Sequence, residues 1–457
     1  MIRMQRIERA TYSRIAKLTV PIILQNLLSA AVNSADVVML NYIGQEHISA
    51  VSLAANYANI LFMVLYGLGT GVTMLSAQYF GKGDMRAVNA VEGIALRFSI
   101  GVGMLFAAAA VCAPELMMRA FTPEPELIRI GAGYLRNVSA AYLCWGLTET
   151  YLATLRSVGR VGISTALNTV AFSLNIVLNA VFIFGTPEDS PLHGAPGVAL
   201  ATSISRVVEL ILTIIVSAKS RDVKLKLSYI FMKSKLLFRD FLRMAMPATL
   251  NDISWGLAFS MYSVIIGQFL GEDMVAANAF TSLVRTFGTV LCFSVASGGG
   301  ILVGQLLGDG KMEDAEKGAK AVMRLTIFSG VVGGLIVLAA MPFVMQFADL
   351  TDLGKTYLRG MLWINTYYVM GQAVNTSLIA GIFRAGGDSR FGFICDTIDM
   401  WCYAVPLGFL AAGVFKLPPM WVYFLLCTDE FVKWPWVIGH YRSRKWLRNI
   451  TRENVVE

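Results

Sequence analysis

The sequence predicts an all-α membrane protein of twelve transmembrane helices in two six-helix lobes, related by a pseudo-two-fold axis along the membrane normal. Three observations predict it. Hydrophobic residues make up 56% of the 457 and charged residues only 15%, outside the range of a soluble globular chain. Apolar runs long enough to cross a bilayer as helices recur along the whole length. Residues Ile43 to Asp84 align without a gap on Leu270 to Lys311 at an offset of 227, which superimposes Gly44 on Gly271, Ala50 on Ala277, Gln78 on Gln305, Gly81 on Gly308 and Gly83 on Gly310. A later echo sets "LRSVGR" at Leu155 to Arg160 beside "FRAGGD" at Phe383 to Asp388.

The spans fall at residues 15–41, 50–77, 92–113, 131–155, 161–184 and 196–218, then 244–269, 275–304, 322–348, 358–383, 391–413 and 418–440. Six per half is an even number, so both halves enter the membrane from one side and the repeat is parallel. The expected organisation is an amino-terminal lobe over 1–218, a basic linker over 219–243, a carboxyl-terminal lobe over 244–441 and a tail over 442–457. Most Lys and Arg lie in the two termini and the loops on their side. The positive-inside rule therefore puts both termini and the linker in the cytoplasm. The net charge of +8 is accounted for by anionic lipid headgroups, with no nucleic-acid partner. The stretch "MIRMQRIERATYSRIAKL" reads as an amphipathic helix on the inner membrane surface, and the first span as a retained helix without a cleavage site.

Several chemistries are disfavoured. The six Cys sit singly, without metal or disulfide spacing, and His47, His193 and His440 lie in loops or at a helix end. No G-x-x-x-x-G-K-[ST] loop is present, so uphill transport has to draw on an ion gradient. "GLGTG" at Gly67 to Gly71 and "GGGILVGQLLG" at Gly298 to Gly308 lie inside apolar helices and predict close helix packing. No His-acid or Ser-Lys constellation suggests an enzyme.

Polar residues inside the spans carry the functional reading, because a carboxylate in hydrocarbon costs a few kcal/mol and needs a partner, a proton or a water-filled cavity. On the first helix Gln25, Ser29, Asn33 and Asp36 share one arc on an otherwise apolar surface, which faces them to a cavity or to a buried polar seam between helices. On the fifth, Asn168, Asn175 and Asn179 are seven and four apart, so they share a face and can orient Asp36 or ligate an ion. In the second half Asp252 follows Pro247, and Asp396 and Asp399 lie three apart on the eleventh helix. All three are cavity candidates. Arg206 with Glu209, and Asp429 or Glu430 with Lys433, are spaced as neutralised pairs. Glu149 and Arg285 have no sequence-local partner. The many Met and Phe, 22 and 26, suit a site for varied amphipathic ligands as well as plain core filling.

In order along the chain, "VPIILQNLLSAAVNSADVVMLNYIG", "AQYFGKGD", "LRSVGR", "LNIVLNAVFIFG", "GAPGVALATSIS", "VGQLLGDGK" and "FRAGGD" resemble the signatures of the MATE (multidrug and toxic compound extrusion) antiporters, in particular their DinF-like branch. The resemblance implies twelve helices in two lobes and export of small organic substrates as a proton or sodium ion enters. It matches Asp36 to the family's first-helix carboxylate, and Asn175 and Thr202 to positions that complete a cation site in some members. Asn179 departs from the second Asp that related members often carry, which removes one charge. A site with one carboxylate holds a proton well and cages sodium poorly, so protons are favoured at Asp36 while sodium stays open. The acids that the sodium-coupled NorM-type branch carries on its seventh and tenth helices are not clearly matched.

The expected function is a cation-coupled antiporter, with protons favoured, that exports amphipathic, often cationic organic compounds by alternating access. It would be a monomer in a bacterial-type plasma membrane, surrounded by lipid, with no cofactor beyond a proton or sodium gradient. The rivals are a lipid-linked precursor flippase of the same superfamily and an ion channel.

Overall fold

The computed structural model describes residues 2–455 apart from 41, 43–44, 188–189, 191, 221, 233, 349 and 454, and the side chains of residues 2–9, 33–34, 36–38, 40, 45 and 227 also lie outside the description. Helices α1 to α6 are Ile2–Leu40, Gln45–Gly81, Met85–Cys112, Pro125–Ser157, Val161–Phe184 and Ala195–Lys219. Helices α7 to α11 are Lys235–Ile265, Glu272–Gly308, Met312–Phe347, Asp352–Asn375 and Ser389–Ile398, and α11 continues through further helical turns to Val414. The last, α12, runs in three pieces, Pro419–Leu426, Asp429–Val432 and Trp434–Arg442. Among the described residues there is no β-strand.

Nine of these helices, all but α4, α10 and α12, are long and apolar enough to cross a membrane among the described residues. The other three coincide with the expected spans at 131–155, 358–383 and 418–440. Their polar content explains the difference: α4 carries Arg129, Arg136, Glu149 and Arg156, α10 carries Asp352, Lys355 and Arg359, and α12 is broken around Lys433.

Two expectations change. The surface helix anticipated at the amino terminus is not a separate element, because α1 continues unbroken from Ile2 through Pro21 to Leu40. The expected linker over 219–243 contains a short 3₁₀ turn, Leu227–Phe231, and is already helical from Lys235. Leu237 and Phe241 are fully buried there, so burial of an apolar face extends α7 beyond the apolar run that marked its start.

The chain forms two compact units, Leu24–Phe80 with Asp84–Ala245 and Arg452–Glu457, and Met1–Ile23 with Gly81–Gly83 and Met246–Thr451. The internal repeat is visible inside each. In the first, the Ser99 hydroxyl on α3 is 2.8 Å from that of Thr150 on α4. In the second, Thr326 on α9 donates to Ser377 just beyond α10 at 2.7 Å, both residues displaced by the same 227 positions. Gly83 and Gly310, another pair at that offset, both take left-handed φ values, +82° and +75°, at the turns that open α3 and α9. Asp84 caps α3 by accepting the Ala87 N–H at 3.0 Å. The glycine-rich stretches pack closely as expected: a Cβ on Gly299 would lie 2.5 Å from the Val322 side chain.

The units differ in helical regularity. Described π-helical turns occur only in the second half, at Ile266–Leu270, Thr376–Phe383, Asp399–Ala404 and Leu410–Val414. Such turns leave backbone carbonyls out of the ordinary ladder and are frequent at functional sites.

Candidate functional site

The amide-bearing face of α5 forms a buried hydrogen-bonded line in the amino half. Asn168, Asn175 and Asn179 are at most 8% exposed. The Asn179 amide donates to Asn175 Oδ1 at 3.3 Å, Asn175 donates to the Thr202 hydroxyl on α6 at 3.3 Å, and Thr202 donates to the Val198 carbonyl at 3.1 Å. Asn168 instead donates to the Ser164 carbonyl of its own helix at 3.1 Å. Gln25 and Ser29 on α1 are partly buried. The side chains of Asn33 and Asp36 lie outside the described residues.

Two ion pairs border this line. Arg206 binds Glu209 at 2.8 Å, as its spacing predicted, and its guanidinium lies 4.7 Å over the Trp145 ring. Glu149, which had no sequence-local partner, pairs at 2.5 Å with Arg156. Seven residues make nearly two full turns, so both side chains leave the same face of α4.

A buried acid that the sequence reading did not single out lies on α3. Glu92 on α3 is fully buried, and neither carboxyl oxygen has a hydrogen-bond partner among the described residues. It stands at the very start of the expected third span, 92–113. The 3₁₀ turn of the linker docks on this part of α3, where Arg97 donates to the carbonyls of Ile230 at 2.6 Å and Met232 at 2.5 Å.

The carboxyl half is built differently. Lys433, only 1% exposed, lies 3.1 Å from Asp396, 3.2 Å from Glu430 and 3.5 Å from Asp399, with its ammonium 5.6 Å over Trp255. Asp396 also accepts from Asn251 at 3.0 Å, and Glu430 from Asn375 at 2.6 Å. Asp429 accepts from the Tyr262 hydroxyl at 3.2 Å and from the Glu430 N–H at 2.8 Å. Asp252 is not an unpaired acid, since Arg384 donates to it at 2.8 Å across 132 residues. The acids Asp252, Asp396 and Asp399, expected to stand free toward a cavity, are thus held in ionic contacts, Asp396 and Asp399 buried and Asp252 partly so. Arg285 makes no ion pair among the described residues and lies over the rings of Phe259 and Tyr368, at 5.2 and 5.8 Å. His440 binds Asp388 at 2.9 Å and stacks on Phe391, a structural use of that ring.

The MatE family model matches residues 21–181 and 247–410, one block in each half. The uncharacterized transporter YisQ of Bacillus subtilis is 25% identical over 439 residues, 94% of each chain. The probable multidrug resistance protein NorM of Halalkalibacterium halodurans is 23% identical over 406 residues, 87% of each. A crystal structure of a MATE mutant superposes with a TM-score of 0.86 at 19% identity, covering 95% of this chain and 97% of that one. The fold is therefore the twelve-helix, two-lobe fold of those transporters. With both halves matched by the family model and the same architecture recovered in three dimensions, this chain belongs to the MatE family of multi-pass membrane transporters.

Proposed function

We propose that this chain is a proton-coupled antiporter that exports amphipathic, often cationic organic compounds by alternating access, with Asp36 as the carboxylate that exchanges the proton. The observation that carries the reading is the buried line Asn179–Asn175–Thr202, a neutral set of donors and acceptors on the face the family uses for its cation site. An amide presents N–H to an ionised carboxylate and C=O to a protonated one. A carboxyl group beside amides can therefore change protonation state without losing its partners, whereas one clamped by Lys or Arg stays ionised. Helical spacing sets Asp36 on the arc of Gln25, Ser29 and Asn33. The names of relatives such as NorM support small organic compounds as the cargo.

In this reading substrate and proton favour opposite states of the amino half. That difference in affinity is what couples the two flows. Both termini and the basic linker lie in the cytoplasm of a bacterial-type cell, where the inward proton gradient drives expulsion. The test is efflux of a fluorescent organic cation from proteoliposomes with pH and sodium gradients imposed separately. A pH gradient alone should drive wild-type transport, and Asp36→Asn should abolish it while inserting normally. Undiminished pH-driven efflux by that variant would overturn the assignment.

A further inference from the structure

We propose that the carboxyl half holds a binding site for aromatic carboxylates, in which the Arg285 guanidinium takes the carboxylate and the rings of α7 take the aromatic body. The site stands apart from Asp36, on residues of the second unit alone.

Arg285 is a cation whose donors are unspent. It is partly buried within an apolar span of α8, and among the described residues its guanidinium makes neither an ion pair nor a hydrogen bond. A guanidinium carries five N–H donors in a planar fork. The rings of Phe259 and Tyr368, 5.2 and 5.8 Å away, offset part of the cost of the charge but leave that fork without an oxygen acceptor. The acids of this half are engaged elsewhere. Asp429, within electrostatic reach of Arg285, takes the Tyr262 hydroxyl and the Glu430 N–H instead. Asp252 binds Arg384, and Asp396 and Glu430 bind Lys433.

Two further observations point to a ligand. Tyr368 is 1% exposed with its ring beside the guanidinium, and its hydroxyl, within electrostatic reach of Arg285, Asp429 and Glu430, has no hydrogen-bond partner among the described residues. A buried hydroxyl left in that state costs free energy until something bonds it. Trp255, Phe259 and Tyr262, four and three residues apart, form a column on one face of α7, each ring edge-on to the next at 5.5 Å. Trp255 and Phe259 are only partly buried, so aromatic surface stays uncovered on the side where Arg285 meets Phe259.

These features select a class of ligand. A carboxylate matches the fork with two parallel N–H···O bonds, and the Tyr368 hydroxyl supplies a further donor. A planar ring attached to it can pack against the α7 column by offset or edge contact. An organic ammonium is disfavoured by the like charge of Arg285. The site therefore takes the opposite charge class from the cationic compounds assigned to the transport cycle.

Equilibrium dialysis of 2-naphthoate, its methyl ester and 2-naphthylmethylammonium against the full chain in phosphatidylcholine nanodiscs tests this. The wild type should hold the carboxylate at least about tenfold more tightly than either isostere. Arg285→Gln should weaken 2-naphthoate binding by about tenfold or more, Arg285→Lys, which keeps the charge without the fork, by nearly as much, and Tyr368→Phe by about threefold. Undiminished binding by Arg285→Gln overturns the proposal. Should that variant fail to fold, the wild type decides alone, and an ester that binds as tightly as the carboxylate overturns the proposal equally. Displacement of 2-naphthoate by phosphatidylglycerol in the nanodiscs at high salt would assign the anion site to lipid headgroups and overturn it as well. Asp36→Asn should bind 2-naphthoate as the wild type does, so failure here is distinguishable from failure of the transport assignment; a loss in that variant overturns the independence of the site.

Discussion

The amino and carboxyl halves share a scaffold and differ in what they bury. Both use the same inter-helix hydroxyl contact, Ser99 with Thr150 and Thr326 with Ser377, and the same left-handed glycine before the following helix. Around that frame the amino half lines α5 with amides, whereas the carboxyl half gathers four carboxyl groups about Lys433. The related arginines Arg156 and Arg384 make the contrast local. Arg156 stays on its own helix with Glu149, while Arg384 reaches across to Asp252 on α7. A duplicated fold therefore constrains backbone packing much more tightly than buried electrostatics. Neutral amides suit a site that must accept two protonation states, and a shared ammonium suits one that must hold several acids together.

The strongest way to break the comparison is to remove the hub. Lys433→Ala leaves Asp396 and Glu430 buried without their counter-charge and should destabilise the protein by about 3–5 kcal/mol, read as a lowered unfolding midpoint in detergent. No change in midpoint would mean that the ionic cluster is not structural. A milder intervention concerns the amino half, where Glu92 is buried without a hydrogen bond. Glu92→Met removes that desolvated carboxyl group and should raise stability by about 1–3 kcal/mol in the same assay, while a loss would reveal a partner for the acid. The smallest effect sharpens the shared part of the comparison. Ser99→Ala and Thr326→Val each remove one inter-helix hydroxyl contact and should each cost about 1 kcal/mol. Markedly unequal costs would show that the two contacts are equivalent in geometry only.

Much of the candidate site was legible because it rests on single-helix periodicity. The common face of Asn168, Asn175 and Asn179 and the Arg206–Glu209 pair both follow from residues per turn. The Glu149–Arg156 pair was legible in principle, since seven residues return to the same face, but it lies beyond the three-to-four spacing of adjacent turns. Although the pairing of Glu430 with Lys433 followed from their spacing of three, Asp252 and Asp396 were not legible in the same way. Their partners are 132 and 37 residues distant, and nothing in a one-dimensional pattern says which charges two helices bring together.

What the sequence determined by itself is the membrane character, the helices and their duplication, because apolar length and glycine position act locally and repeat along the chain. Which acids are held by a cation and which are left without a hydrogen bond, Asp396 against Asp399 and Asp252 against Glu92, was decided by tertiary structure alone. The reason is physical: the cost of a buried charge depends on atoms within a few ångströms, and those neighbours come from helices that only folding brings into register.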